Sequence, residues 1–185
     1  MMIDQREDNE LITNCLQGNA GAYKEIMDKY GGYAMAVALN ILTNFQDAED
    51  ACQEAFFKAF QNLNQFDTGM SFKNWFYVLL YHHCMDHIRK RKRFGHFLGR
   101  FKNEHPSSVA LPSSCPPQNP TMEPAFLRRL SPKERIALYL WSQEGYSGAD
   151  IASVLGCSQG TAYVHLYRAR VKLKSILTGK KHATL

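Results

Sequence analysis

Apolar residues recur every three to four positions through the first hundred residues. Ala55, Phe56, Ala59, Phe60 and Leu63 are one such series, the spacing that lays one face of a helix on a core. The pattern predicts helices over 7–17, 20–43, 46–62 and 71–93. Asp47 is placed to cap the third, with Asp50 at its third helical residue, and Ser71 to cap the fourth. No alternating strand pattern competes, and all seven prolines lie at or after Pro106, so nothing before it must break a helix.

The texture changes at Phe94 and stays changed to Thr121. The run PSSVALPSSCPPQNP holds five prolines and four serines and reads as an extended connection. A stretch this long is either a domain boundary or a functional strap. Helical signals then return. Ser131-Pro132-Lys133-Glu134 is a capping box with proline at the first helical position. Ser147 opens a short helix that Gly156 stops, and Ser158 caps a last helix running to about Leu177. Two helices joined by Gly156-Cys157-Ser158 have helix-turn-helix spacing. The expected fold is all-α: a helical domain over 1–93, a flexible Pro/Ser-rich linker over 94–122, and a helix-turn-helix domain over 123–185.

Composition narrows the function. The 185 residues carry a net charge of +5, a mild lean toward polyanions that decides little by itself. No apolar run is long enough to span a membrane, so no membrane insertion is expected. The acidic, polar N-terminus is unlike a secretory signal. Five scattered cysteines without a C-x-x-C pair suit a reducing, cytoplasmic setting.

Charge placement says more. In the last helix Ala162, Leu166, Ala169 and Leu173 form one stripe, so Arg168, Arg170, Lys172 and Lys174 fall on other faces. Those cations meet either water or phosphate; the turn before them favours DNA. A second basic track, HIRKRKRF at 87–94 with Arg100 and Lys102, follows an aromatic stretch holding Phe72, Trp75, Phe76, Tyr77 and Tyr81. Rings beside cations suit unpaired nucleic acid, although Phe72, Phe76, Leu79 and Leu80 also fit a buried stripe, leaving one or two rings for bases. The helix over 45–60 has the opposite sign: Asp47, Glu49, Asp50 and Glu54 against Lys58. It suits a basic protein surface or a solvated helix start. His83, Cys84 and His87 are spaced to hold zinc, but no second ligand cluster accompanies them, and no cofactor or metal is expected. No nucleophile elbow, P-loop or H-E-x-x-H motif is present, so no catalytic residue is assigned and the chain reads as a non-enzyme.

Four stretches in order resemble the extracytoplasmic-function (ECF) class of bacterial RNA polymerase sigma factors: GNAGAYKEIMDKY, DAEDACQEAFFKAF, FDTGMSFKNWFYVLLYHHCMDHIRKRKR, and LSPKERIALYLWSQEGYSGADIASVLGCSQGTAYVHLYRARVKL. The resemblance implies a subunit that binds core polymerase and directs promoter recognition. It places Asp47, Asp50, Gln53, Glu54 and Phe57 on the clamp helices of the polymerase's largest subunit. It places Asn64, Phe66, Phe72, Lys73, Asn74 and Trp75 at the −10 element, where the loop 64–71 holds an extruded base, with Arg89, Arg91 and Arg93 on the adjacent backbone. At the −35 element it places Arg135, Ser158, Gln159, Thr161, Tyr163, Val164, His165, Arg168 and Arg170. An anti-sigma factor is a further implied partner. One departure stands out. Where the family has Val-Lys-Ser-Arg-Leu after Gly-Thr, this chain has Ala162-Tyr163-Val164-His165-Leu166. Phosphate contacts position without reading sequence; base readout by Tyr, Val and His must differ. The alternatives to a sigma factor are a stand-alone helix-turn-helix regulator and a protein-interaction module.

Overall fold

The computed structural model describes residues 5–104 and 127–178; most of the linker expected over 94–122 lies outside them. Seven α-helices are seen: α1 (Gln5–Leu16), α2 (Ala20–Leu42), α3 (Phe45–Gln61), α4 (Phe72–Glu104), α5 (Pro132–Gln143), α6 (Gly148–Leu155) and α7 (Gln159–Leu177), with short 3-10 turns at Leu63–Gln65 and Leu127–Arg129. Among the described residues there is no strand, and no helix is long and apolar enough to cross a membrane.

Helix starts follow local chemistry. Asn19 caps α2 through the amide of Gly21. For α3 the cap is Asn44, not Asp47: the Asn44 carboxamide accepts from the Asp47 amide at 2.9 Å, which frees the Asp47 carboxylate. Asn44, in extended backbone, supplies the capping oxygen three residues before Asp47, so the helix starts earlier than the acids suggest. Ser71 precedes α4, its hydroxyl 3.5 Å from the Asn74 amide. The capping box at Ser131 is formed. Ser147 forms another with Asp150, and Gly156 closes α6 in the left-handed region. Ser158 caps α7.

The largest departure in the helices is the length of α4. It runs to Glu104, past the end at 93 that the change in texture suggested. Phe94–Glu104 is basic and poorly patterned, but it contains no proline, and nothing before Pro106 forbids helix. Phe60 is a smaller correction: the periodicity put it in the core, yet it is half-exposed, its ring tilted against that of Tyr23 at 4.8 Å.

Phe72, Phe76, Tyr77 and Leu80 of α4 are fully buried, Phe72 against Tyr30 of α2 and Phe76 against Phe56 of α3, each apolar side chain contributing roughly 1.5–3 kcal/mol. The buried Asp8 on α1 accepts from Tyr30 at 2.6 Å and Lys29 at 2.8 Å, fastening α1 to α2. Residues of α5, α6 and α7 join the same core. Helix α5 packs on α2 and α6 on α4, so the two halves meet face to face.

Candidate nucleic-acid interface

Helix α3 sorts its residues by sign. Ala48, Ala51, Cys52, Ala55, Phe56 and Ala59 point inward. Asp50, Gln53, Glu54 and Phe57 form an exposed strip, with Phe57 at 64% exposure. Asp47 at the strip's edge meets Arg91 Nη1 at 3.2 Å. Glu54 Oε2 lies 3.4 Å from both His83 Nδ1 and His87 Nε2. The i, i+4 histidines thus face one carboxylate. Cys84 between them turns into the core, where burial pushes its thiol up.

The loop 64–71 is held from outside. Gln5 Nε2 donates to the Met70 carbonyl at 3.1 Å, and Asn9 Nδ2 to Thr68 at 3.0 Å. Gly69 N donates to Asp67 Oδ1 at 2.9 Å. Asn64 and residues 67–70 remain exposed. Phe66 and Phe72 do not line a surface: they are 8% and 1% exposed. Trp75, half-buried, packs on them at 5.3 and 5.7 Å. These two rings therefore back the loop, and Trp75 is the ring nearest to solvent. Along α4, Arg89, Arg91 and Arg93 are exposed, Arg89 paired with Asp86 at 2.7 Å.

Lys73 and Asn74 are not open to solvent. The Lys73 ammonium pairs with Glu144 and lies 4.7 Å from the Tyr33 ring centre. Glu144 also accepts from Tyr77 at 3.2 Å. Asn74 Oδ1 accepts from the Tyr146 hydroxyl. Burial first, then the Glu144 charge, pushes the phenols of Tyr77, Tyr139 and Tyr146 up, Tyr139 to about 12, so they stay donors at neutral pH.

In the C-terminal half, Ser158 accepts from the Thr161 amide, and the two hydroxyls lie 2.9 Å apart; both side chains are engaged in starting α7. Gln159, Val164 and Arg168 face solvent. Tyr163 is folded back onto the start of α6: a β-carbon on Gly148 would stand 2.4 Å from the ring's Cζ. His165 is half-buried, and burial with the charges of Lys133 and Arg168 lowers its pKa, so it is neutral at pH 7. Arg170 stacks over Trp141 at 4.9 Å. Trp141, Tyr163, Tyr167 and Arg170 line a groove of about 500 Å³. Arg135 is turned inward: its guanidinium donates to the Ile41 carbonyl at 2.7 Å and to Leu127 at 3.3 Å, satisfying an orphan carbonyl at the end of α2.

Three features were missed from sequence. The Glu144 contacts and the Arg135–Ile41 bond join residues about seventy to ninety positions apart, for which no local pattern exists. The aromatic groove had a partial signal in the non-family Tyr163.

Residues 26–94 match the family Sigma-70 region 2, and residues 124–173 match Sigma-70, region 4. The chain is 30% identical to the ECF RNA polymerase sigma factor EcfG of Rhodopseudomonas palustris, over 77% of each chain. It is 26% identical to the RNA polymerase sigma-H factor of Pseudomonas aeruginosa, over 95% of this chain and 96% of that one. Two solved structures share the fold. CnrH in complex with the cytosolic domain of CnrY superposes with a TM-score of 0.66 at 22% identity, covering 95% of this chain and 99% of the other. RpoE bound to the anti-sigma factor NepR of Bartonella quintana gives 0.63 at 24%, covering 86% and 98%.

Proposed function

The chain belongs to the ECF RNA polymerase sigma factors, and from that premise we propose how its surfaces divide the work of initiation. The exposed strip Asp50, Gln53, Glu54 and Phe57 docks on the clamp helices of the largest polymerase subunit. An exposed phenylalanine on the same strip as Asp50 and Glu54 is the pattern of an apolar anchor with charged neighbours. The loop 64–71, with Trp75 behind it, receives an unstacked base of the −10 element. Lys73, Asn74 and the exposed Arg89, Arg91 and Arg93 hold the strand beside it.

Helix α7 enters the −35 major groove. Gln159 and Val164 face the bases there, and Arg168 faces the backbone. Tyr163 acts from the α6 side and His165 as a neutral single donor, so upstream readout differs from that of chains with Lys and Arg at these positions. The protein performs no catalysis itself and acts in the cytoplasm beside the polymerase. An anti-sigma factor holds it in reserve.

The observation that carries the reading is the separation of signs. The acidic strip lies on α3 and the exposed cations on α4 and α7, so one protein partner and one DNA can be held at once. Mixing the chain with bacterial core polymerase tests it. A stable complex that initiates at discrete genomic sites is expected; no complex at micromolar concentration would refute it.

A further inference from the structure

Helix α4 outlasts the body that holds it. Arg89–Phe94 and Phe97 are all exposed, and a β-carbon on Gly95 would meet nothing within 4 Å. The helix nevertheless continues to Glu104. From Arg89 that is about four more turns, roughly 24 Å at about 1.5 Å per residue.

Helical register sorts this end of α4 into two faces. At about 100° per residue, positions 94, 97, 98 and 101 fall within an arc of about 100°. The sequence puts Phe, Phe, Leu and Phe there, and Phe94 and Phe97 are 63% and 57% exposed. Positions 91 and 102 flank the strip on one side, 93 and 100 on the other, and all four are Arg or Lys. With Arg89, Lys90 and Lys92 they make a basic run that meets no acid before Glu104. The pairs Arg89–Asp86 and Arg91–Asp47 are largely exposed and hold these cations weakly.

A surface that answers both faces must be anionic and must also admit rings. The DNA backbone answers only the charge. Base stacking takes a ring, but Phe94 lies roughly 28 Å along the axis from Trp75, at about 1.5 Å per residue, too far to share the base received there. The boundary of an anionic bilayer answers both. Phenyl rings enter the acyl edge, while the long Arg and Lys stems reach back to the phosphate headgroups. The cations cover most of the remaining circumference, which suits a helix half-sunk among headgroups better than one laid in a protein groove. A short helix with glycines at 95 and 99 and so much like charge draws little stability from itself. Lipid supplies both a cover and the counter-charge.

We propose that the end of α4, Arg89–Glu104, is a membrane-surface anchor: it lies on anionic lipid with Phe94 and Phe97 at the acyl boundary, holding the free chain reversibly at a membrane it does not span. The anchor stands whether or not Arg89, Arg91 and Arg93 also serve the −10 strand, because the rings are what set it apart from a DNA contact.

Flotation of the full chain with vesicles tests it. Wild type should float with vesicles of mixed phosphatidylglycerol and phosphatidylcholine, be released as salt rises, and stay behind from phosphatidylcholine alone. Phe94→Ser with Phe97→Ser leaves the charge unchanged and touches no residue assigned to polymerase or DNA. It should cut vesicle binding several-fold, with duplex DNA affinity and melting temperature unchanged. Fluorescence of a Phe94→Trp chain, taken as the difference from wild type, should be quenched by lipid brominated on its acyl chains. Failure of wild type to float with the anionic vesicles at millimolar lipid overturns the proposal. So does equal flotation by the double serine variant, which would reduce the contact to charge alone. If that variant floats normally but binds core polymerase more weakly, the rings belong to a protein groove instead.

Discussion

The ring of Tyr163 lies across Gly148, so that the recognition helix α7 leans on the first residue of α6 where a β-carbon has no room. The two residues are a matched pair, and their coupling can be measured. Gly148→Ala should push the exposed tip of that ring aside, with a clash cost of up to about 1 kcal/mol, partly offset by the better helix propensity of alanine. In a Tyr163→Ala background the cost should nearly vanish. Equal costs in the two backgrounds, by denaturant melts, would show that the ring does not rest there.

On the proposed −35 contact, the same tip should govern DNA affinity. Tyr163→Lys with His165→Arg should tighten binding to duplex DNA and steepen the salt dependence, by about 0.9 in log–log slope for each phosphate newly met. His165 is neutral because burial and nearby cations hold its pKa below the ordinary 6.5. The wild type should therefore gain an added cationic contact only as pH falls below that value. Filter binding across a salt series at pH 7.5 and pH 5.5 reports both effects.

The acidic strip should carry polymerase affinity alone. Asp50→Lys with Glu54→Lys should weaken the core complex by about tenfold or more, a loss of about 1.4 kcal/mol. Phe57→Ala should cost about 2 kcal/mol if it is the apolar anchor. Neither change should alter duplex DNA affinity of the free chain. Affinity titrations with core polymerase and with DNA, run side by side, check the division.

Much of this was readable before the fold. The caps at Ser131, Ser147 and Ser158 and the stop at Gly156 are local chemistry, in which a side chain answers a backbone group a few residues away. The inward stripe of α7 likewise follows from helical period, since Ala162, Leu166 and Ala169 are all buried. What escaped was non-local. Arg135 looked like a surface cation because helix position says nothing of a carbonyl about ninety residues earlier. The resemblance placed Phe66 and Phe72 at the −10 element, and a motif does not distinguish a ring on a surface from one beneath it, although the helical stripe had already put Phe72 inside. Helix α4 outran its expected end because weak patterning is not a stop signal.

Acid should loosen the C-terminal half through Glu134. Burial alone would raise its pKa, but Lys172 at 2.7 Å and the Ser131 amide outweigh burial and hold it below the ordinary 4.5. A carboxylate whose pKa is lower in the folded state stabilises above its unfolded value and loses that contribution as pH falls through the folded one. Stability should thus drop below about pH 4.5, and Glu134→Gln should flatten that limb, since glutamine keeps the capping-box bond to the Ser131 amide and loses only the ion pair with Lys172. Melting curves from pH 3 to 7 give the comparison.

Photo-crosslinking from single positions in a promoter complex addresses the central division most directly. A photoreactive side chain at Phe57 should capture the largest polymerase subunit. At Trp75 it should capture the non-template strand near −10, and at Val164 the duplex near −35. Capture of nucleotides from position 57, or of protein alone from both 75 and 164, would contradict it.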